Sequence, residues 1–118
     1  MSNLQFYRNN DIVIPVDLPV DITGATVLFT IKNTSDIDTA DPTDSLALCK
    51  ASTTSHIDPV NGKTTITLTG SVASPLNTTD ITPGEYSWDI TTKDASGNIL
   101  TRGIGLVDVL ETVTQRTT

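Results

Sequence analysis

The sequence predicts an all-β sandwich of about seven antiparallel strands, and three observations carry that expectation. Apolar residues recur at every second position in one segment after another, rich in Val, Ile and Thr, and no segment sustains the 3.6-residue period of a helix. Turn-forming Asn, Asp, Gly and Pro separate these segments at intervals typical of short strands. No connection is long and apolar enough for a crossover helix, so parallel pairing is not expected. The 118 residues suffice for a single domain with a two-layer core, expected to span 1–118.

The elements follow in order. "NLQFYR" places Leu4 and Phe6 on one face, and "DIVIPV" does the same with Ile12, Ile14 and Val16. Pro15 marks a strand end or a sheet edge. "ATVLFTIK" alternates most clearly, with Val27, Phe29 and Ile31 inward and Thr26, Thr30 and Lys32 outward. Leu28 interrupts the outward series, which predicts cover on both faces near mid-strand. "LALCK" is a shorter strand in which Leu46/Leu48 and Ala47/Cys49 compete for the inward phase, and either sheet can accept it. "KTTITLT" points Ile66 and Leu68 inward and follows "DPVNGK", where Asn61-Gly62 offers the positive φ angles of a tight turn. "SVASPLNTTD" reads as a connection with room for one helical turn.

The last two strands, "GEYSWDITT" and "NILTRGIGLVDV", form a hairpin around Asp94-Ala95-Ser96-Gly97. Tyr86, Trp88 and Ile90 share one face, and Glu85, Ser87, Asp89 and Thr91 share the polar other. With Ser96-Gly97 as the two loop residues, Tyr86 lies opposite Val107, Trp88 opposite Gly105 and Ile90 opposite Gly103. Two glycines facing bulky side chains leave room for an indole lying across the neighbouring strand, so Trp88 is expected to face the core rather than a ligand.

Composition narrows the function classes. The net charge of −7 and the scattered Arg8, Lys32, Lys50, Lys63, Lys93, Arg102 and Arg116 argue against nucleic acid, which needs clustered cations. No stretch approaches a membrane span, and "MSNLQFYRNND" lacks an apolar signal core, so assembly in a cytoplasm is expected. Cys49 is the single cysteine, which excludes an intrachain disulfide and reads as a small buried apolar residue.

Catalytic chemistry is thin. His56 is the single histidine, so a histidine-based triad would have to be centred on it, yet no nucleophile elbow accompanies it and it reads as a surface turn residue. Asp36, Asp38, Asp41 and Asp44 bring oxygen ligands into the 35–44 loop, but without the order of a helical calcium loop. The expectation is a non-enzymatic protein with no catalytic residues, no metal site and no cofactor.

The order of these features resembles a known family. "VDITGATVLFTIKN", then "IDPVNGKTTITLTGSVASPLNTTDITPGEYSWDITTKDASGNILTRGIGLVDV", closing on "ETVTQ", resembles the immunoglobulin-like β-sandwich of tailed-bacteriophage tails. The likeness is to the N-terminal domain of baseplate upper proteins and to tail-fibre attachment modules. It is carried by Asp21-Ile22-Thr23-Gly24-Ala25 leading into a strand and by the apolar alternation that follows Gly62. The pairing of Pro83–Asp89 with Arg102–Val109 completes it. The resemblance spans roughly residues 10–113 and marks turns and core positions.

What it implies is an immunoglobulin-like antiparallel sandwich serving as a structural virion protein, a tail or baseplate component or adaptor. Its partners would be other phage virion proteins, met in multiple copies in a symmetric assembly, with no nucleic acid or membrane. Baseplate upper proteins continue into further segments, whereas this sequence ends at Thr118, so an adaptor, ring component or cover is the expected form.

Leu4, Phe6 and Tyr7 are the candidate docking residues, because adding a strand to a partner is an economical attachment; the alternative is that this segment pairs inside its own sandwich. Two other readings stay open: a capsid decoration protein, and a carbohydrate- or receptor-binding module using Tyr7 with Asn9, Asn10 and Asp11.

Overall fold

Seven strands form, all but the fourth close to where the alternating pattern places them: β1 (Leu4–Tyr7), β2 (Ile12–Asp17), β3 (Thr26–Lys32), β4 (Cys49–Thr53), β5 (Lys63–Leu68), β6 (Gly84–Lys93) and β7 (Ile99–Leu110). The structure, a computed structural model, describes residues 3–70 and 77–113. Five strands make one sheet in the order β1-β7-β6-β3-β4, and β2 and β5 make the facing pair. A sheet built around the last two strands and β3, extended by β4 and faced by β2–β5, is the immunoglobulin-like arrangement of a β-sandwich.

The core lies between the sheets. Val27, Phe29 and Ile31 of β3, Ile14 and Val16 of β2, Ile66 and Leu68 of β5, and Val107 and Val109 of β7 are all buried there. The β3 phase and the two partner phases are therefore those the sequence predicts.

The β6–β7 hairpin fixes the centre. Tyr86 pairs with Val107, Trp88 with Gly105 and Ile90 with Gly103, as expected. The loop differs. The Asp94 N–H donates to the Asn98 carbonyl (3.0 Å) and the Gly97 N–H to the Asp94 carbonyl (2.9 Å), so three residues, Ala95–Gly97, make the turn. Gly97 adopts φ 88°, the left-handed conformation such a turn requires. A bulge beside Ile90 leaves Arg102 as the extra residue and restores the register that a two-residue loop would have set.

Trp88 faces the core. It is 2% exposed, its ring stacks on Phe29 (centroids 6.1 Å apart, planes at 27°), and its Nε1–H donates to the Leu106 carbonyl at 3.0 Å. A Cβ on Gly105 would stand 2.9 Å from three indole atoms, so the indole occupies the space this glycine vacates. Tyr86, at the start of β6, donates its hydroxyl proton to the Thr82 carbonyl, the tyrosine-corner contact of immunoglobulin-like folds.

Three expectations need correction. First, β1 pairs with β7 in parallel, from Leu4↔Val107 to Tyr7↔Leu110. The parallel pair joins the two ends of the chain and so needs no crossover helix. Second, in "LALCK" only Cys49 and Lys50 belong to β4; Ala47 and Cys49 are buried while Leu46 is exposed, which settles the phase. The strand lies on the edge of the five-stranded sheet, against β3. Third, at Asn61-Gly62 only Gly62 takes positive φ, because Pro59–Asn61 forms a short 3-10 turn. Of the expected 71–80 connection, residues 71–76 lie outside the described residues; Thr78 bridges to Thr69, and Thr79 donates its hydroxyl to the Asn10 carbonyl at 2.6 Å.

Cys49 is fully buried, and burial pushes its thiol up to about 11. Thiolate is the reactive form. At mildly alkaline pH the native protein is expected to leave a thiol reagent unconsumed and to react fully once unfolded in guanidinium; rapid labelling of the native protein would contradict this burial.

Candidate docking surface

One surface combines concavity with exposed apolar side chains: the outer face of the five-stranded sheet. Its floor comes from outward positions of β3, β6 and β7. Register places Thr30 beside Asp89 and Asp89 beside Ile104, with Leu28 and Thr91 one step along. One wall is the connection between β3 and β4, which folds over the sheet through Ile37, Pro42 and Asp44. The result is a groove of about 540 Å³. Ile99 and Ile104 on β7 are 63% and 59% exposed, and Ile37 on the wall is 47% exposed.

The wall is held by charge. Lys32 Nζ reaches Asp41 Oδ2 at 3.2 Å and Asp44 Oδ1 at 2.9 Å. The Asp41 carboxylate also accepts from the Leu46 N–H (2.8 Å), the Ser45 N–H (2.9 Å) and the Ser45 hydroxyl (2.7 Å). The Leu46 amide and Ser45 hydroxyl hold the Asp41 carboxyl well below the ordinary carboxylate range. Two of the four loop aspartates thus bind the loop to the sheet. Among the described residues, no group of three or more His, Cys, Asp or Glu side chains is placed to share a metal ion.

This overhang explains why the polar face of β6 is not simply solvated. Thr34 Oγ1 meets Ser87 Oγ at 3.0 Å and Ser87 is buried, while Asp89 and Thr91 are half-buried. Leu28 is likewise half-buried beneath the loop, the cover on both faces that its place in β3 predicts.

Asp89 is the unusual member. No hydrogen bond or ion pair from any described residue reaches its carboxylate. Burial raises its carboxyl above the ordinary value, the Asp44 charge adds to the rise, and Lys32 opposes it. With the folded value above the unfolded one, the advantage of the neutral acid is complete below the unfolded value and lost as pH rises through the folded value. Asp89→Asn is therefore expected to raise the melting temperature at neutral pH, the gain vanishing in acid below the ordinary carboxyl range. Melting curves at neutral and acid pH check this, and a lowered neutral melting temperature would contradict it.

The candidate docking residues separate in the structure. Phe6 is 5% exposed and part of the core, Leu4 is half-buried against it, and Tyr7 is 49% exposed on the opposite face of β1. The strand is tied down beyond its parallel ladder: Arg8 Nε meets Asp80 at 2.8 Å, Arg8 Nη1 meets Glu111 at 3.2 Å, and the Arg8 N–H donates to the Leu110 carbonyl at 2.7 Å. Outward-facing material in this segment is thus Gln5, Tyr7 and the free backbone edge of β1. Near Tyr7, Asp11 is engaged internally, its Oδ1 accepting the Gly70 N–H at 2.5 Å.

His56 is half-buried rather than a surface turn residue. Its Nε2–H donates to the Ala25 carbonyl (2.8 Å), and Nδ1 meets the buried Thr64 hydroxyl (2.9 Å). Both ring nitrogens are committed to joining the start of β3 to β5.

The groove is not evident from the alternation pattern alone. Ile104 and Leu106 occupy outward positions of β7 where polar residues are the rule, and with Leu28 they were the available signal.

No protein-family model matches the sequence, and no curated protein matches it. Among solved structures, murine CRIg aligns over 95% of this chain and 93% of its own, with 11% identity and a TM-score of 0.38. The fold itself is defined by the strands and pairings described above.

Proposed function

We propose that the protein is a non-enzymatic structural component of a tailed-phage virion, in the tail or baseplate, that works by docking onto other virion proteins. The observation that supports docking is the outer-sheet groove, with Ile37, Ile99 and Ile104 exposed around it. Grouped apolar exposure of this kind is characteristic of interaction sites, whereas single exposed apolar residues need no explanation. The phage setting comes from the sequence resemblance. The motif residues that carry it occupy structural positions: Asp21 Oδ1 accepts from the Thr23 N–H (2.8 Å) and hydroxyl (2.6 Å) in the turn leading to β3, and Trp88 and Val107 are buried.

Many identical copies in one particle would make modest individual contacts sufficient through effective concentration. The free edge of β1 with Tyr7 is a second contact available to a neighbour. Quantitative mass spectrometry of purified particles from the phage that encodes the chain tests the proposal. Recovery in a fixed multiple-copy ratio to known virion proteins is the expected result, and absence from washed, infectious particles would overturn it.

A further inference from the structure

The groove is neither uniformly apolar nor evenly charged, and its chemistry specifies an occupant. Leu28, Ile37, Ile99 and Ile104 give it aliphatic surface, and the half-buried Asp89 carboxylate stands among them with no hydrogen bond or ion pair from the described residues. The charges that face this region are accounted for. Lys32 on β3 is held by Asp41 and Asp44, Lys50 on β4 reaches the Thr43 carbonyl at 3.4 Å, and Lys93 lies at the far end of β6 beside Ile99. Resting on the docking reading of this face, we infer that the groove receives a segment of a partner protein that presents a lysine or arginine between aliphatic side chains, with the cation set against Asp89.

The physical reasons are three. A carboxylate already stripped of part of its water pays less of the cost of pairing when a cation arrives, and a charge-assisted hydrogen bond in such a setting is stronger than one in open solvent. Aliphatic flanks on the partner would cover Ile37, Ile99 and Ile104, which otherwise remain in water. The net charge of −7 biases encounters toward cationic partners. In an extended segment, residues two apart share a face, so aliphatic–x–Lys–x–aliphatic is the simplest sequence that meets all three features.

The test uses the full chain labelled with ¹⁵N and two blocked peptides, acetyl-Ile-Thr-Lys-Thr-Ile-amide and the same peptide with its lysine acetylated. Binding of the lysine peptide in the millimolar range is expected to shift the amides of Leu28, Thr30, Asp89, Thr91 and Ile104, and the acetylated peptide is expected to bind about tenfold more weakly. Asp89→Asn is expected to erase the difference between the peptides, and Ile104→Ser to weaken both. Equal binding of the two peptides in the groove would overturn the cation preference while leaving the docking face in place. Shifts scattered elsewhere, or none with either peptide, would overturn both. The Asp89 carboxyl titration supplies an independent readout, since a bound cation must lower its midpoint, and an unmoved midpoint at saturation would also overturn the inference.

Discussion

Trp88→Ala is expected to destabilise the domain by about 3–5 kcal/mol, the loss typical of removing a large buried aromatic. The indole touches both partners of the central strand: it stacks on Phe29 of β3 and fills the space opposite Gly105 of β7, and its N–H is satisfied by the Leu106 carbonyl. Truncation removes packing from both sides, and Gly105 has no side chain with which to refill the space. Urea unfolding followed by circular dichroism measures the loss. The wild-type tryptophan should emit at short wavelength and resist quenching by iodide. A loss below about 1 kcal/mol, in the range of ordinary surface changes, would contradict the buried assignment.

Gly62→Ala carries a comparable effect for a different reason. Gly62 follows the Pro59–Asn61 turn at φ 74°, and its carbonyl accepts the Leu18 N–H at 2.9 Å. A Cβ there would lie 2.0 Å from the Leu18 carbonyl oxygen and 2.6 Å from that of Val20. Backbone cannot yield as a side-chain tip can, so conformational strain and overpacking add to about 3–5 kcal/mol. Gly97→Ala is the control. It has a similar φ of 88° but nothing within 4 Å of the added carbon, so strain alone remains, at about 1–3 kcal/mol. Equal losses in the two variants, measured by the same urea titration, would show that the clash contributes nothing.

The contrast between these glycines and the groove describes how far the sequence can be read. Positions governed by local rules were legible. Period-two alternation placed the inward faces of β2, β3 and β5, and the register counted from Ser96-Gly97 puts Trp88 opposite Gly105, as observed. Even the three-residue turn did not disturb that register, because the bulge at Arg102 compensates for it. Where contacts join distant segments, local pattern loses its information. The parallel pairing of β1 with β7 depends on the two chain ends meeting, and the phase of Ala47 and Cys49 is set by β3.

The candidate site belongs to this second kind. The loop from Asn33 to Leu48 looks like a solvated acidic run, yet Lys32 draws Asp41 and Asp44 onto the sheet and turns an open face into a groove. Asp89, read as one of several outward polar residues, becomes half-buried because of that loop. His56 takes one partner, Thr64, from the nearby β5 and the other, the Ala25 carbonyl, from the residue just before β3, 31 positions away. Leu28 and Ile104 were the visible signs, apolar residues where the alternation called for polar ones.

The proposed docking within a phage tail or baseplate is tested most directly by gold-labelled antibodies against the folded protein, applied to intact particles of a phage whose genome encodes the sequence. Labelling at the tail tip or baseplate is the expected result. Labelling over the head would contradict that placement in favour of capsid decoration, and no label on particles from which the protein is also missing would contradict the virion role itself.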